Sequence, residues 1–320
     1  MYNLCCISNE LKDTHSFKTM TWKQFTKILK EDGEDAALRI LGARWLNNVR
    51  VTHRIIRHCA DNGWGYRVSS DLFPCLTHPD FKWLISDVPQ CDLIVDEFEL
   101  IAGFNGILQQ KVRLSCHPNQ FNVLASDNPE SVSKTIKELN YHGWIMDKLG
   151  CQRSRQNPIN IHINCTKGDP SDIAARFMSN LNLCNQSVTS RLVVENEDKG
   201  IWNVDNLIQY VYKPYKIPLT FDLLHHECNP SVHCVSDFGD DMAAEICELT
   251  WHGVRPIFHY CEAHPDKNNP RAHADMPTNC PPDWPVDWDI ELKMKNFAIR
   301  RCEEIRKGIK SCISLNTRAT

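Results

Sequence analysis

The chain of 320 residues lacks most of the short signatures that settle a chemistry at once. It holds 16 cysteines but no Cys-x-x-Cys pair, so a zinc ribbon or a thioredoxin-like redox motif is unsupported. Reduced thiols, mostly in the core of an intracellular protein, are the expectation. No apolar run approaches the ~18 residues that a membrane crossing needs, and no membrane partner is expected. The opening Met1-Tyr2-Asn3-Leu4 has no basic segment followed by an apolar one, so no secretory leader is expected there. Low-complexity tracts, internal repeats and Gly/Ser linkers are missing. So is the Gly-rich phosphate loop that announces a doubly wound dinucleotide-binding sheet. The composition, 42% hydrophobic and 24% charged, is that of an ordinary globular protein. A net charge of −4, from 36 basic and 40 acidic residues, speaks against a protein that coats nucleic acid nonspecifically. It leaves room for a local basic groove, and bound divalent cations would offset a carboxylate-rich pocket.

What is present is an alternation. Short β-rich apolar runs fall at residues 3–8, 65–69, 112–116, 158–164, 191–196, 217–222, 256–261 and 286–292. Several are continuous rather than alternating, such as Leu192-Val193-Val194, and so suit a parallel sheet covered by helices. Helical stretches are predicted between them at 35–62, 129–149, 169–185, 203–212, 240–251 and 293–312. Asn128-Pro129-Glu130 and Asp169-Pro170 supply helix-start signals. Eight strand candidates alternating with helices predict an α/β fold, a TIM (β/α)8 barrel, as one domain over residues 1–320.

A barrel of this kind places its chemistry where strands end, on the C-terminal face. Read in order, those ends carry His117, His162, Glu195, Asp222 with His225 and His226 behind it, His259 and Glu291. His, Asp and Glu are the ligands of zinc, manganese and similar ions. So many on one face exceed what one ion takes. They suit a site of two or three ions that clamps the oxygens of a phosphodiester during hydrolysis. The plainer reading is that 40 acidic residues and 14 histidines among 320 put some at strand ends by chance. Glu195 and Asp222 weigh against it, because both follow apolar segments, where an unpaired carboxylate is costly.

His117-Pro118-Asn119-Gln120-Phe121, Ile159-Asn160-Ile161-His162, Val194-Glu195-Asn196-Glu197-Asp198, Phe221-Asp222-Leu223-Leu224-His225-His226 and Arg271-Ala272-His273-Ala274-Asp275 are distinctive as an ordered set. Together with Tyr66-Arg67-Val68-Ser69-Ser70, the set resembles the successive motifs of the UV damage endonuclease family, a TIM-barrel family related to endonuclease IV. The resemblance implies a trinuclear site. His117, His162 and Glu195 would hold one metal. Glu195 would bridge to a second, held with Asp222, His259 and Glu291. His225 and His273 would hold a third. Glu195, His117, Asp222 and Glu291 would carry the catalysis. The family incises double-stranded DNA immediately 5′ to a UV photoproduct, leaving a 3′-hydroxyl and a 5′-phosphate. It uses divalent ions, commonly manganese, with zinc, magnesium and cobalt as alternatives. Gln120 and Phe121 match the pair that probes the duplex beside the lesion, and Asn9 or Glu10 falls near a further lesion-reading position. A monomer is expected.

Two departures from the family pattern stand out. Some members carry a carboxylated lysine two residues before the position of His259, where this chain has Ile257. The third metal then loses a ligand, or takes one from Glu262, His264, Asp266 or Asp275. A lesion-reading tyrosine near the N-terminus is matched by Cys6. The competing readings are an abasic-site or broad-lesion endonuclease, a metal-dependent sugar isomerase or epimerase, and a catalytically weakened binding protein. An isomerase would need a base and a closed polyol pocket, and no strand-end lysine is available as that base.

Overall fold

In the computed structural model, the described residues are 1–106, 110–119, 121–231 and 239–308. Eight parallel strands form a barrel: β1 (Tyr2–Cys5), β2 (Gly65–Val68), β3 (Leu114–Cys116), β4 (Ile159–Ile161), β5 (Leu192–Glu195), β6 (Leu219–Thr220), β7 (Ile257–Tyr260) and β8 (Asp287–Ile290). The sheet order is β6-β5-β4-β3-β2-β1-β8-β7. The remaining gap, between β6 and β7, is closed by a parallel bridge between Asp222 and His259. There the His259 N–H donates to the Phe221 carbonyl at 2.9 Å. Every expected strand is present, each shorter than its apolar run because the run extends into the adjoining turn.

Helices cover the outside. Glu34–Asn62 opens with Glu34 and Asp35 in its first turn, which suits the positive end of the helix dipole. It ends at Gly63, whose φ of +69° takes the left-handed conformation that glycine adopts without strain. Its inner stripe includes Leu38, Leu41, Trp45, Val49 and Ile56. Pro129–Lys148 is capped by Asn128, and Pro170–Leu181 by Asp169, each side chain accepting from a first-turn N–H.

Five stretches differ from expectation. The helix expected over 169–185 stops at Leu181, and Asn185 starts a separate turn, Gln186–Thr189. The 203–212 stretch is helical over Val204–Leu207 and widens to a π-type turn over Ile208–Tyr212. The last helix runs Asn296–Arg306. It starts late because the Lys293 and Met294 N–H groups bond to the carbonyls of Ala274 and Asp275. The part expected beyond residue 308 lies outside the described residues. Helices Trp22–Asp32 and Cys91–Asn105 have no counterpart among the predicted stretches. Among the described residues, no helix is long and apolar enough to cross a membrane, and the described cysteines are free thiols.

The inner face of the barrel is polar to an unusual degree. Asn3, Arg67, Arg113, Ser115, Asn160, Thr220, Asp287 and Asp289 are all buried. At the floor Asp287 receives Arg113 Nη1 at 2.8 Å and Arg255 Nε at 2.9 Å.

Candidate metal centre

Strands β3 to β8 each deliver a donor at or just past their C-terminal ends. Three groups of side chains bring their ligand atoms within 4.8 Å of one another: His117, His162 and Glu195; Glu195, Asp222 and His225; Asp222, His259 and Glu291. Glu195 joins the first two groups and Asp222 the last two. Glu195 Oε2 lies 3.2 Å from His117 Nε2 and 3.7 Å from His162 Nε2. Its Oε1 lies 3.2 Å from both His225 Nδ1 and His259 Nδ1. His259 Nδ1 is also 3.3 Å from Glu291 Oε1 and 3.8 Å from Asp222 Oδ2.

Local structure fixes these groups. Asp222 Oδ1 caps the short helix Leu223–Cys228 by accepting from the His225 N–H at 2.7 Å, so one carboxylate both starts the helix and faces the site. His117 Nδ1 sits 2.9 Å from the Pro118 carbonyl, which places the proton there and leaves Nε2 toward Glu195. Asn160 donates to Glu195 Oε2. His162 Nδ1, Asp222 Oδ2 and His259 Nδ1 are buried with no hydrogen-bond partner. Such atoms cost about 1–3 kcal/mol each when left unmatched. A divalent cation satisfies carboxylate oxygen and imidazole nitrogen alike, so the residues present fit a metal.

The electrostatics agree with the geometry. Burial pushes the Glu195 carboxyl up, but His259 and His162 and its hydrogen-bonded neighbours outweigh this and hold it well below the usual range. Burial raises Asp222. Burial would lower His259, yet Glu195, Glu291 and Asp289 lift it to about 9. His225 is likewise raised well above its ordinary value by Asp222 and Glu195, against the effect of burial. Burial, with cationic imidazoles alongside, drops His162 to about 4, so it is neutral with a lone pair free at physiological pH.

A family model described as UV-endonuclease UvdE matches residues 2–316. The chain belongs to the UV-endonuclease UvdE family. It is 28% identical over 313 residues to a UV DNA damage endonuclease of Bacillus velezensis, covering 94% of this chain and 92% of that one. It is 26% identical over 306 residues to a UV DNA damage endonuclease of Bacillus pumilus, covering 92% and 89%. Among solved structures it resembles SacUVDE, with a TM-score of 0.75, 23% identity, and 96% of this chain and 98% of that one covered. Endonuclease IV from Thermus thermophilus gives a TM-score of 0.55 at 12% identity, over 80% and 94%. Both likenesses show the fold, a TIM barrel.

The remaining expected positions of this UvdE-family chain fall as follows. His225 turns toward Glu195 and Asp222. His273 stands off, half-exposed, with Nδ1 3.2 Å from the Glu291 carbonyl and 3.8 Å from Glu291 Oε2. Among the described residues, no ligand group includes His273. Ile257 is buried on β7, two residues before His259 and therefore on the same inner face. Two of the four proposed replacements for the missing ligand, Glu262 and Asp275, are engaged elsewhere. Glu262 accepts from Tyr260 Oη at 2.7 Å and from the Thr278 and Asn279 N–H groups at 2.9 Å. Asp275 pairs with Lys293 at 3.1 Å. His264 lies 4.0 Å from Asp275, and the Asp266 N–H is 3.2 Å from His264 Nδ1.

Phe121, four residues past His117, projects its ring into solvent at 78% exposure. Gln120 lies outside the described residues. Asn9 is held in the rim by Asn296, which accepts from its N–H at 2.8 Å, and its amide reaches the Lys293 carbonyl at 3.3 Å. Cys6 follows β1 with φ of +66°, and its carbonyl accepts from Tyr66 Oη at 2.9 Å. Sequence reasoning missed Asn160, Arg67 and Asp289. The alternation Asp287-Trp288-Asp289-Ile290-Glu291, acidic at every second place, was the available signal for the last.

Proposed function

We propose that the chain is a metal-dependent endonuclease that hydrolyses the phosphodiester immediately 5′ to a UV photoproduct in double-stranded DNA, leaving a 3′-hydroxyl and a 5′-phosphate. The observation that carries this reading is the set of three overlapping ligand groups at the mouth of a UvdE-family barrel. The names of the two Bacillus relatives support the substrate. On this reading residues 1–320 work as one barrel domain and as a monomer.

His117, His162 and Glu195 would hold one divalent ion. Glu195, Asp222, His259 and Glu291 would hold a second. His225, with His273 at the rim, would hold a third. Manganese is the ion the family resemblance favours. When bound, such ions supply Lewis acidity to the phosphoryl oxygens and lower the pKa of water. The chain's own groups prepare the site. Asn160 fixes Glu195. Neutral His162 keeps its lone pair, and the Pro118 carbonyl sets the His117 tautomer. Photoproducts weaken pairing and stacking, so they are cheaper to extrude than intact bases. The exposed Phe121 ring, with Gln120 beside it in sequence, would fill the space they leave. Next to Phe121 opens a cavity of about 570 Å³ whose walls include Trp22, His78 and Lys134, chemistry suited to unstacked bases and phosphate.

The test is nicking of irradiated and unirradiated supercoiled plasmid by chelator-stripped protein, with and without manganese. Nicking confined to irradiated DNA and to added metal is expected. Equal nicking of intact plasmid, or full nicking in chelator, overturns the reading. A plasmid with abasic sites separates the broad-lesion alternative.

A further inference from the structure

Asp289 is buried inside the barrel on β8, in register with His259 on β7. It belongs to none of the three ligand groups. Its Oδ1 accepts from Asn3 Nδ2 at 2.8 Å. Its Oδ2 lies 3.5 Å from Arg67 Nη1 and 3.6 Å from His259 Nε2. His259 is oriented differently from His117 and His273. His117 and His273 each have Nδ1 beside a backbone carbonyl. His259 has no such acceptor among the hydrogen bonds of the described residues. Its Nδ1 faces Glu195, Asp222 and Glu291, and its other nitrogen faces Asp289.

A neutral imidazole offers one lone pair and carries its proton on the other nitrogen, so whatever sits at Nε2 decides whether Nδ1 is free to ligate. Charge points the same way. Arg67 Nη1 pairs with both Glu291 and Asp289, so one fixed cation faces two carboxylates. Burying a second carboxylate there is costly unless another positive charge balances it. Ile257 contributes no charge from the neighbouring strand.

We propose that Asp289 is a positioning residue for His259: it keeps the ring proton on Nε2, presents Nδ1 to a divalent cation, and supplies from β8 a negative charge that Ile257 does not supply from β7. Asn3 and Arg67 anchor its carboxylate for that task. The proposal rests on the metal-centre reading above.

The experiment is Mn²⁺ titration, by electron paramagnetic resonance, of chelator-stripped full-length protein, with thermal melts in chelator as a folding control. The variants are Asp289→Asn, His259→Ala and the double variant. Outer partners of metal-bound histidines are worth about 10–100-fold in affinity. Asp289→Asn should weaken one class of Mn²⁺ by that factor in the parent background and leave the chelator melt unchanged. In the His259→Ala background it should have almost no further effect. Unchanged Mn²⁺ affinity, or equal weakening in both backgrounds, overturns the proposal. Should Asp289→Asn not fold, Asn3→Ala decides: it frees the carboxylate from its anchor, and undiminished Mn²⁺ affinity there is equally adverse. If the parent protein binds no Mn²⁺ at all, the metal-centre reading fails, and the proposal with it.

Discussion

Glu195→Gln removes one charge and almost no volume, and its consequences can be worked from distances. The carboxylate faces ring nitrogens of His117, His225 and His259 at 3.2 Å and of His162 at 3.7 Å, on the side where ions would sit. At an effective dielectric of about 20, unit charges this close interact by roughly 4–5 kcal/mol. Part of that is returned, because a buried amide is cheaper to desolvate than a carboxylate. A net loss of about 3 kcal/mol corresponds to roughly a hundredfold in Kd. Incision of irradiated plasmid should then fall below detection. The fold should persist at some cost in stability: Asn160 can still donate to the carbonyl oxygen of the substituted amide, but the imidazoles lose their charge partner. The assay pairs nicking with thermal melts. In chelator the variant should melt lower than the parent, because the imidazoles that hold the carboxyl well below its usual range lose their partner. With Mn²⁺ at about a hundred times Kd, the parent should gain about 2.7 kcal/mol and the variant little. Near-normal nicking, or an equal metal-dependent gain, would refute the idea that Glu195 is shared between ions.

Phe121→Ala, alone or with Gln120→Ala, should narrow the preference for irradiated over intact plasmid while leaving metal content unchanged; loss of metal would show that the loop supports the centre instead. With Ile257 in place of the lysine and Glu262 and Asp275 already engaged, metal analysis after mild chelation should find two tightly held ions and a third that is labile or absent, and three tight ions would contradict this. Gly65→Ala would drive a Cβ into the Asn3 side-chain oxygen and bring it 3.2 Å from the Arg113 carbonyl. Forcing Asn3 off Asp289 should cost about 1–3 kcal/mol in urea unfolding, and a stability equal to the parent would show that Asn3 moves freely.

The strands were legible because each carries apolar residues on the face packed against the helices, and β5, Leu192-Val193-Val194, is apolar on both faces up to Glu195. The donors were legible because each interrupts such a run. Two helices were not. Trp22–Asp32 buries only Phe25, and Cys91–Asn105 carries exposed Leu93, Val95 and Leu100, which blur its apolar stripe. Grouping of the ligands was also beyond reach of spacing. Whether His225 turns toward Glu195 or toward His273 depends on the Asp222 cap that opens its helix, a contact between residues three apart whose outcome the sequence does not state. Asp289 was hidden for a related reason. In an antiparallel strand, Asp-Trp-Asp-Ile-Glu reads as a solvent-facing polar edge; here the acidic face turns inward, and only the closed barrel shows it.

That inward column explains how the site tolerates its own charge. At the floor, Asp287 is matched by fixed cations, Arg113 and Arg255. One level up, Asp289 and Glu291 share Arg67. At the mouth, among the described residues, the cationic partners of Glu195 and Asp222 are imidazoles. Permanent positive charge therefore thins out toward the face where a substrate arrives, and exchangeable charge takes over. Without metal, Asp222, Glu195 and Glu291 favour protons on His225 and His259 against the effect of burial, whereas burial prevails at His162. A divalent ion entering the same space must displace those protons, so binding and deprotonation are one event. The gradient lets the barrel fold around a carboxylate cluster before any metal arrives.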